Sequence, residues 1–211
     1  QALLNDLTDF NRTNLGLGIP VACGEVDLGL LCAEELARLR VVYPGQRFEL
    51  SVDGNCCGRW DGLRLQQLVC NLVVNAVKYG DAGRAVRVAL VGRGGEVELA
   101  VRNDGPTIPE STLARIFEPL SRGENSTTQP GLGLGLYIVR EIARAHGGSI
   151  EARSADGTTV FAARLAREAL QARGAGSGAM PWATIDAAGD REFLPDGRQQ
   201  PAARERESSG G

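Results

Sequence analysis

A chain of 211 residues, 43% of them apolar and with a net charge of −3, holds material for one core with appendages and has no charge imbalance that would seek a polyanion. Basic residues are scattered and aromatics make up only 5%, which argues against a nucleic-acid surface. No apolar run approaches the roughly 20 residues of a membrane-spanning helix and no secretory pattern opens the chain, so no membrane contact is expected.

In chain order, Leu3, Leu4, Leu7 and Phe10 fall at helical spacing, and because the chain opens on Gln1 inside this pattern, the stretch reads as the end of a helix continuing from upstream sequence. After the loop from Gly16 to Pro20, Asp27 is placed to cap a second helix. Leu28, Leu31, Leu36 and Leu39 supply its apolar positions, Glu34 and Glu35 are expected to face water, and Pro44-Gly45 ends it. Phe48, Leu50 and Val52 then alternate with polar residues as a strand, and Asp53-Gly54 turns the chain. Cys23, Cys32, Cys56, Cys57 and Cys70 form no CxxC pair and have no histidines at metal spacing. They read as small hydrophobes with free thiols in a reducing compartment.

Asp61 is placed to cap the helix around which the chain is organised, Leu65 to Tyr79. Leu65, Leu68, Val69, Leu72, Val73, Ala76 and Val77 fill an apolar arc, and Asn71, Asn75 and Lys78, at i, i+4 and i+7, form a polar stripe along its edge. Short amides offer neutral oxygens to a hard cation and a lysine one turn on can meet a phosphate, which are the parts of a magnesium-nucleotide site.

Two alternating runs follow, Val86/Val88/Leu90 and Val97/Leu99/Val101, joined by a turn at Gly92 to Gly95 as an antiparallel hairpin. Continuing the second run puts Asn103 on the inward face and Asp104 on the other. Asn103-Asp104-Gly105-Pro106 breaks the strand and opens a loop over residues 105–131, with one short helical piece expected around Leu113 to Phe117; loops of this length are usually lids. The loop closes on Gly131-Leu132-Gly133-Leu134-Gly135-Leu136, glycines at the mouth of a helix from Tyr137 to His146 whose first N–H groups suit a phosphate. Gly147-Gly148 ends that helix, and strands Ser149 to Arg153 and Thr158 to Leu165 complete a sheet. His146, the only histidine, reads as an end-of-helix residue near the last carbonyls rather than a phosphoacceptor. Residues 168–211 turn to Ala, Gly, Arg, Ser, Pro and Gln and read as a disordered tail, in which Trp182 and Phe193 are isolated aromatics or a docking segment.

Taken together, Arg64 to Leu165 resembles the catalytic, ATP-binding domain of sensor histidine kinases, part of the wider family of gyrase, Hsp90 and MutL ATPases. Asn71 to Tyr79 resembles its N box, Asn103 to Pro109 its first glycine box and Ile116 to Pro119 its F box. Gly131 to Leu136 resembles the second glycine box and Gly157-Thr158-Thr159 the last. The resemblance implies an α+β fold, a two-layer α/β sandwich of the Bergerat type whose mixed sheet is covered by helices on one face, with a long ATP lid. It divides the chain into 1–14, the truncated end of a dimerisation and phosphotransfer hairpin, 20–167, the ATP-binding catalytic domain, and 168–211, the tail.

It also implies roles, with ATP and Mg2+ as cofactors. Asn75 would coordinate magnesium, Asn71 would sit beside the triphosphate and Lys78 would neutralise it, the last two being the catalytic candidates. Tyr79, Asn103, Gly105, Ile108 and Thr158 would border the nucleotide, while Gly131, Leu132, Gly133, Leu134, Gly135 and Leu136 would cradle phosphate. Arg122 would reach the γ-phosphate or else be a solvated lid arginine. Hydrolytic relatives carry a glutamate where this chain has Asn71, which has no basic lone pair to activate water. The implied activity is therefore transfer of the γ-phosphoryl group to a histidine on an upstream hairpin, in a bacterial two-component system. Its partners would be that hairpin, a second copy in the full-length protein and a response-regulator aspartate, in the cytoplasm, with a membrane anchor in the parent protein left open. Lacking that histidine, the chain alone is expected to bind ATP without autophosphorylating.

Two positions depart from the family pattern, Asn103 where it has aspartate and Thr107 where it has glycine. An amide can accept from adenine or, flipped, donate to guanine, so weaker adenine binding, by roughly 1 kcal/mol, and blunted purine selectivity are expected. The alternative reading is a degenerate nucleotide-binding regulatory module. A serine kinase of the anti-sigma type shares the fold, but the hairpin-like lead-in at Leu3 to Phe10 argues against it.

Overall fold

A computed structural model describes residues 2–121 and 132–168. Its elements run α1 (Ala2–Asn14), β1 (Gly24–Asp27), α2 (Leu28–Val42), β2 (Phe48–Gly54), β3 (Cys57–Trp60), α3 (Gly62–Tyr79), β4 (Val86–Arg93), β5 (Glu96–Asp104), α4 (Glu110–Leu113), α5 (Gly135–Ala145), β6 (Ser149–Ala155) and β7 (Thr158–Ala166). Five strands form one sheet in the order β2-β4-β5-β7-β6, with β2 parallel to β4 and the other pairs antiparallel. It is the mixed sheet that the resemblance implied.

Alternation decides which face of the sheet is covered. Val86, Val88 and Leu90 of β4 and Val97, Leu99 and Val101 of β5 are all buried, while the residues between them are only half-buried. Against this face pack Leu28 and Leu36 of α2, Leu65, Leu68 and Leu72 of α3, and Ile138 and Ile142 of α5, each essentially without exposure. Burying each such side chain contributes about 1.5–3 kcal/mol, so the three-helix layer is held mainly by apolar contact. Cys32 and Cys56 belong to this core, and burial pushes the Cys32 thiol up to about 12.

Local signals place the helices. The Asp27 carboxylate accepts from the N–H groups of Gly29 and Leu30, and that of Asp61 from Leu63 and Arg64, so both caps form as their positions predict. At the far end of α5, Gly147 (φ +69°) takes the left-handed conformation, its N–H reaches Arg144 O, and Gly148 N–H reaches Ala143 O.

Three features differ from the sequence reading, and a fourth adds to it. Glu35 does not face water: it is 3% exposed because α3 lies over it, and it takes a hydrogen bond from Gln66 (3.1 Å) and an ion pair from Arg38. The lid's helical piece lies at Glu110–Leu113, before the expected position, because the backbone after Pro109 starts it and residues 114–117 continue only as turns. A second, two-stranded sheet pairs β1 with β3; at four residues each they carry no readable period. Arg167 ties this sheet to the large one, donating to Gly94 O (2.8 Å), Cys57 O (2.7 Å) and Asn55 O, beside the bond from Trp60 Nε1 to Ala166 O (2.7 Å). Finally, α1 is docked on α3 and α5. Asp9, 3% exposed, receives both Nη atoms of Arg64 (2.6 and 3.0 Å), and Phe10 stacks edge-on against Tyr137 with ring centroids 5.7 Å apart. Leu4 and Leu7 of the same helix remain exposed.

His146 closes the fold between α5 and α3. It is completely buried, its Nδ1 lies 2.8 Å from Ile142 O, and its Nε2 accepts the N–H of Asp61 at 3.0 Å. Because Nε2 must accept, the ring proton resides on Nδ1. Burial holds its pKa below the usual imidazole range, outweighing the Ile142 bond and the Asp61 charge, with Arg64 adding a small push the same way. The unfolded chain therefore takes up a proton first as pH falls: the stabilisation is complete above about pH 6.5 and is lost as pH drops below that toward the folded value. His146→Gln should cost about 1–3 kcal/mol at neutral pH and should lose less further stability than the parent between about pH 7.5 and pH 5.5, measured by urea unfolding. Equal losses in both proteins would contradict this role.

Candidate functional site

The site forms where the C-terminal ends of α3 and β5 converge. Asp81 N–H bonds to Asp104 O at 2.8 Å, and the two backbones pass so closely that side chains are excluded. A Cβ on Gly80 would lie 3.2 Å from Asp104 O, and one on Gly105 would lie 2.8 Å from Tyr79 O. This approach sets Asn103, 5% exposed at the end of the inward face of β5, beside the last turn of α3. Asn103 Nδ2 has a long bond to Asp104 O (3.5 Å), and the amide lines a narrow cleft with Gln46, Ala76, Gly80 and Arg84. Asp104 faces the other way, toward Arg87 at 3.6 Å, as strand alternation predicts.

Along α3 the polar stripe meets the start of α5. Asn71 Nδ2 donates to Gly135 O at 3.3 Å, and since that partner can only accept, the orientation of the amide is fixed. Asn75 and Lys78 lie one and two turns on, both half-buried, with the Lys78 ammonium 5.0 Å from the Tyr79 ring centre and Tyr79 itself at the exposed rim. Gly133 (φ +70°) turns the chain into α5, where a Cβ would lie 3.1 Å from Ser121 O. Leu134 is buried and anchors the loop, Leu136 is half-buried against the core and Leu132 stays exposed. Among the described residues no side chain caps α5, whose first N–H groups carry the positive end of the helix dipole.

Asn71 is thus brought to Gly135 where α3 meets α5, with Asn75 and Lys78 further along the same edge of α3 and Asn103 and Gly105 at its end. Ile108 follows on the same loop, its N–H bonded to Ser154 Oγ at 2.8 Å. Thr158 is placed differently: it pairs with Asp104 and its hydroxyl reaches that carboxylate (3.5 Å), away from the face of Asn103. Its neighbour Thr159, 4% exposed, pairs with Asn103 and shares its face. Arg122 and Gly131 lie outside the described residues. Sequence reasoning passed over Ser154 and gave Thr159 no role beyond its place in the last glycine box; the signal for Ser154 was a polar residue ending the inward series Ile150, Ala152, Ser154. Three amides, a lysine and an open helix start can hold polyphosphate oxygens and a shared hard cation, and the stripe contains no carboxylate to act as a base.

Comparison with known proteins shows the family of the chain. Residues 60–169 match the family described as histidine kinase-, DNA gyrase B-, and HSP90-like ATPase. The bacteriophytochrome of Pseudomonas aeruginosa is 35% identical over 167 residues, 78% of this chain and 23% of its own length. The probable sensor histidine kinase TcrY of Mycobacterium tuberculosis is 33% identical over 172 residues, 80% of this chain and 36% of its own. The chain therefore spans well under half of these curated relatives. Among solved structures, a mycobacterial sensor histidine kinase, MprB, aligns with a TM-score of 0.62 at 28% identity, covering 71% of this chain and all of that one. From fold, site and kinship together, the chain belongs to the histidine kinase-, DNA gyrase B- and HSP90-like ATPase family, and its ATPase domain is of the sensor histidine kinase type.

Proposed function

We propose that this chain binds ATP with magnesium and passes the γ-phosphoryl group to a histidine on a helical hairpin outside it, as the catalytic domain of a bacterial two-component kinase. The observation that carries the reading is the Asn71 to Gly135 bond, which sets an amide-lined helix edge against an uncapped helix start. Backbone N–H groups of Gly133 and Gly135 cradle the phosphates and Lys78 neutralises them. Asn103 meets the base, and Gly105, Ile108 and Tyr79 border it.

Among the described residues no group of three or more His, Cys, Asp or Glu side chains could hold a metal by itself. A single amide, Asn75, fits a magnesium ion that keeps most of its ligands as phosphate oxygens and water. Magnesium would neutralise charge on the transferring phosphate. Asn71 lacks the basicity to activate water, so the site holds ATP for an incoming imidazole, and transfer rests on positioning. His146 does not serve as that imidazole, since both its ring nitrogens are bonded inside the core. The partners are the upstream hairpin, a second copy in the full-length protein, and a response-regulator aspartate in the cytoplasm. Asn103 and Thr107 favour one second reading, a regulatory module that binds nucleotide weakly.

Incubated with γ-labelled ATP, the chain alone should form no phosphohistidine, whereas a histidine-bearing hairpin added in trans should become labelled; label on the isolated chain would contradict the assignment. Asn75→Ala should weaken binding of a non-hydrolysable ATP analogue about tenfold in magnesium and far less in chelator, by calorimetry. Affinities for ATP and GTP analogues should lie within about tenfold of one another, and Asn103→Asp should improve ATP binding several-fold, the equivalent of about 1 kcal/mol. A large ATP preference in the unaltered chain would count against the amide's role.

A further inference from the structure

The inward face of the sheet does not end in apolar residues on the side of the site. Register pairs Asn103 with Thr159 and Thr159 with Ser154, so three polar side chains form a row across β5, β7 and β6. The row before it is Val101, Phe161 and Ala152, all in or against the core. Ser154 Oγ lies 2.9 Å from Thr159 Oγ1 and accepts the N–H of Ile108 at 2.8 Å. A second hydroxyl does a similar job nearby. Gly105 N–H bonds to Gly157 O at 2.8 Å, and Gly157 N–H is accepted by Thr107 Oγ1 at 3.1 Å.

The anchor for these bonds is stiff. Asp156 (φ +49°) and Gly157 (φ +72°) make a two-residue β6–β7 turn with both central residues left-handed, the geometry that fits strand twist. Pro106 has no N–H, and among the described residues no ladder partner continues past the Asp104 pairing with Thr158 except at Gly105. Side-chain hydroxyls of Ser154 and Thr107 thus take the place of the missing strand partners.

We propose that Ser154, seconded by Thr107, is a positioning residue for nucleotide: it holds the Gly105 to Ile108 wall in its binding-competent place before the ligand arrives. The inference rests on the proposed function, in which Gly105 and Ile108 border the nucleotide. Without the hydroxyl, the segment samples other positions, and binding must order it at the expense of affinity. Thr107 follows from the same geometry, a side chain where a glycine would leave Gly157 N–H without this acceptor.

The test compares Ser154→Ala, Ser154→Thr and Thr107→Val with the unaltered chain, by calorimetry with a non-hydrolysable ATP analogue and magnesium and by amide hydrogen exchange. Ser154→Ala should weaken binding roughly three- to tenfold, the scale of one hydrogen bond, and Ser154→Thr, which keeps the hydroxyl, should restore it. Exchange at the Ile108 amide should accelerate about tenfold or more in Ser154→Ala while amides of β5 and β7 stay protected, a pattern that general destabilisation would not give. Thr107 is exposed, so Thr107→Val probes the same wall without touching the core, and a smaller weakening is expected. Unchanged affinity in Ser154→Ala and Thr107→Val, with the parent binding normally, would overturn the assignment alone. No binding by the parent would overturn the nucleotide reading and this assignment with it.

Discussion

The site depends on a contact in which no side chain takes part. The end of α3 and the end of β5 pass so close that a Cβ on Gly105 would strike Tyr79 O and one on Gly80 would press on Asp104 O at 3.2 Å. That approach puts a buried amide from the sheet, Asn103, next to a helix whose free edge carries two more amides and a lysine. A wider spacing would leave Asn103 facing solvent. The two glycines therefore act through what they lack, and replacing either would move the walls of the site rather than remove a ligand.

The same helix serves the core and the site, and its two faces explain the division. Leu65, Leu68, Leu72 and Val73 have essentially no exposure, so packing fixes the axis of α3 and with it the direction of Asn71. The Asn71 bond, from the middle of α3, then sets the start of α5, while at the far end of α5 the buried His146 bonds to Asp61, the α3 cap. Both ends of α5 are thus tied to α3 by polar contacts across an apolar seam. Docking of α1 adds a third contact through Tyr137, two residues beyond Gly135: its hydroxyl lies 2.8 Å from Thr13 Oγ1. The start of α5 is held from the α3 side and the α1 side, which would suit a site that works by positioning.

Much of this could be read before the structure, and the reasons are local. The stripe of Asn71, Asn75 and Lys78 follows from helical period, the caps Asp27 and Asp61 from their place before apolar runs, and the burial of Asn103 from two-residue alternation. What escaped depends on distant pairing. Glu35 looked solvent-facing because its cover, Gln66, comes from another helix. Thr158 and Thr159 are adjacent, and only their register against β5 shows that Thr159 shares the face of Asn103. His146 was legible as an end-of-helix residue, but its second partner lies 85 positions earlier. β1 and β3 are too short for any period to appear.

The central claim is that the edge of α3 and the start of α5 form one phosphate-binding surface. Nuclear magnetic resonance titration of the isotope-labelled chain with a non-hydrolysable ATP analogue and magnesium tests it most directly. The account predicts saturable shifts that are largest at the backbone amides of Gly133 to Leu136 and the side-chain amides of Asn71, Asn75 and Asn103, with the outer face of the sheet unmoved. Shifts centred elsewhere, or none at millimolar nucleotide, would contradict it.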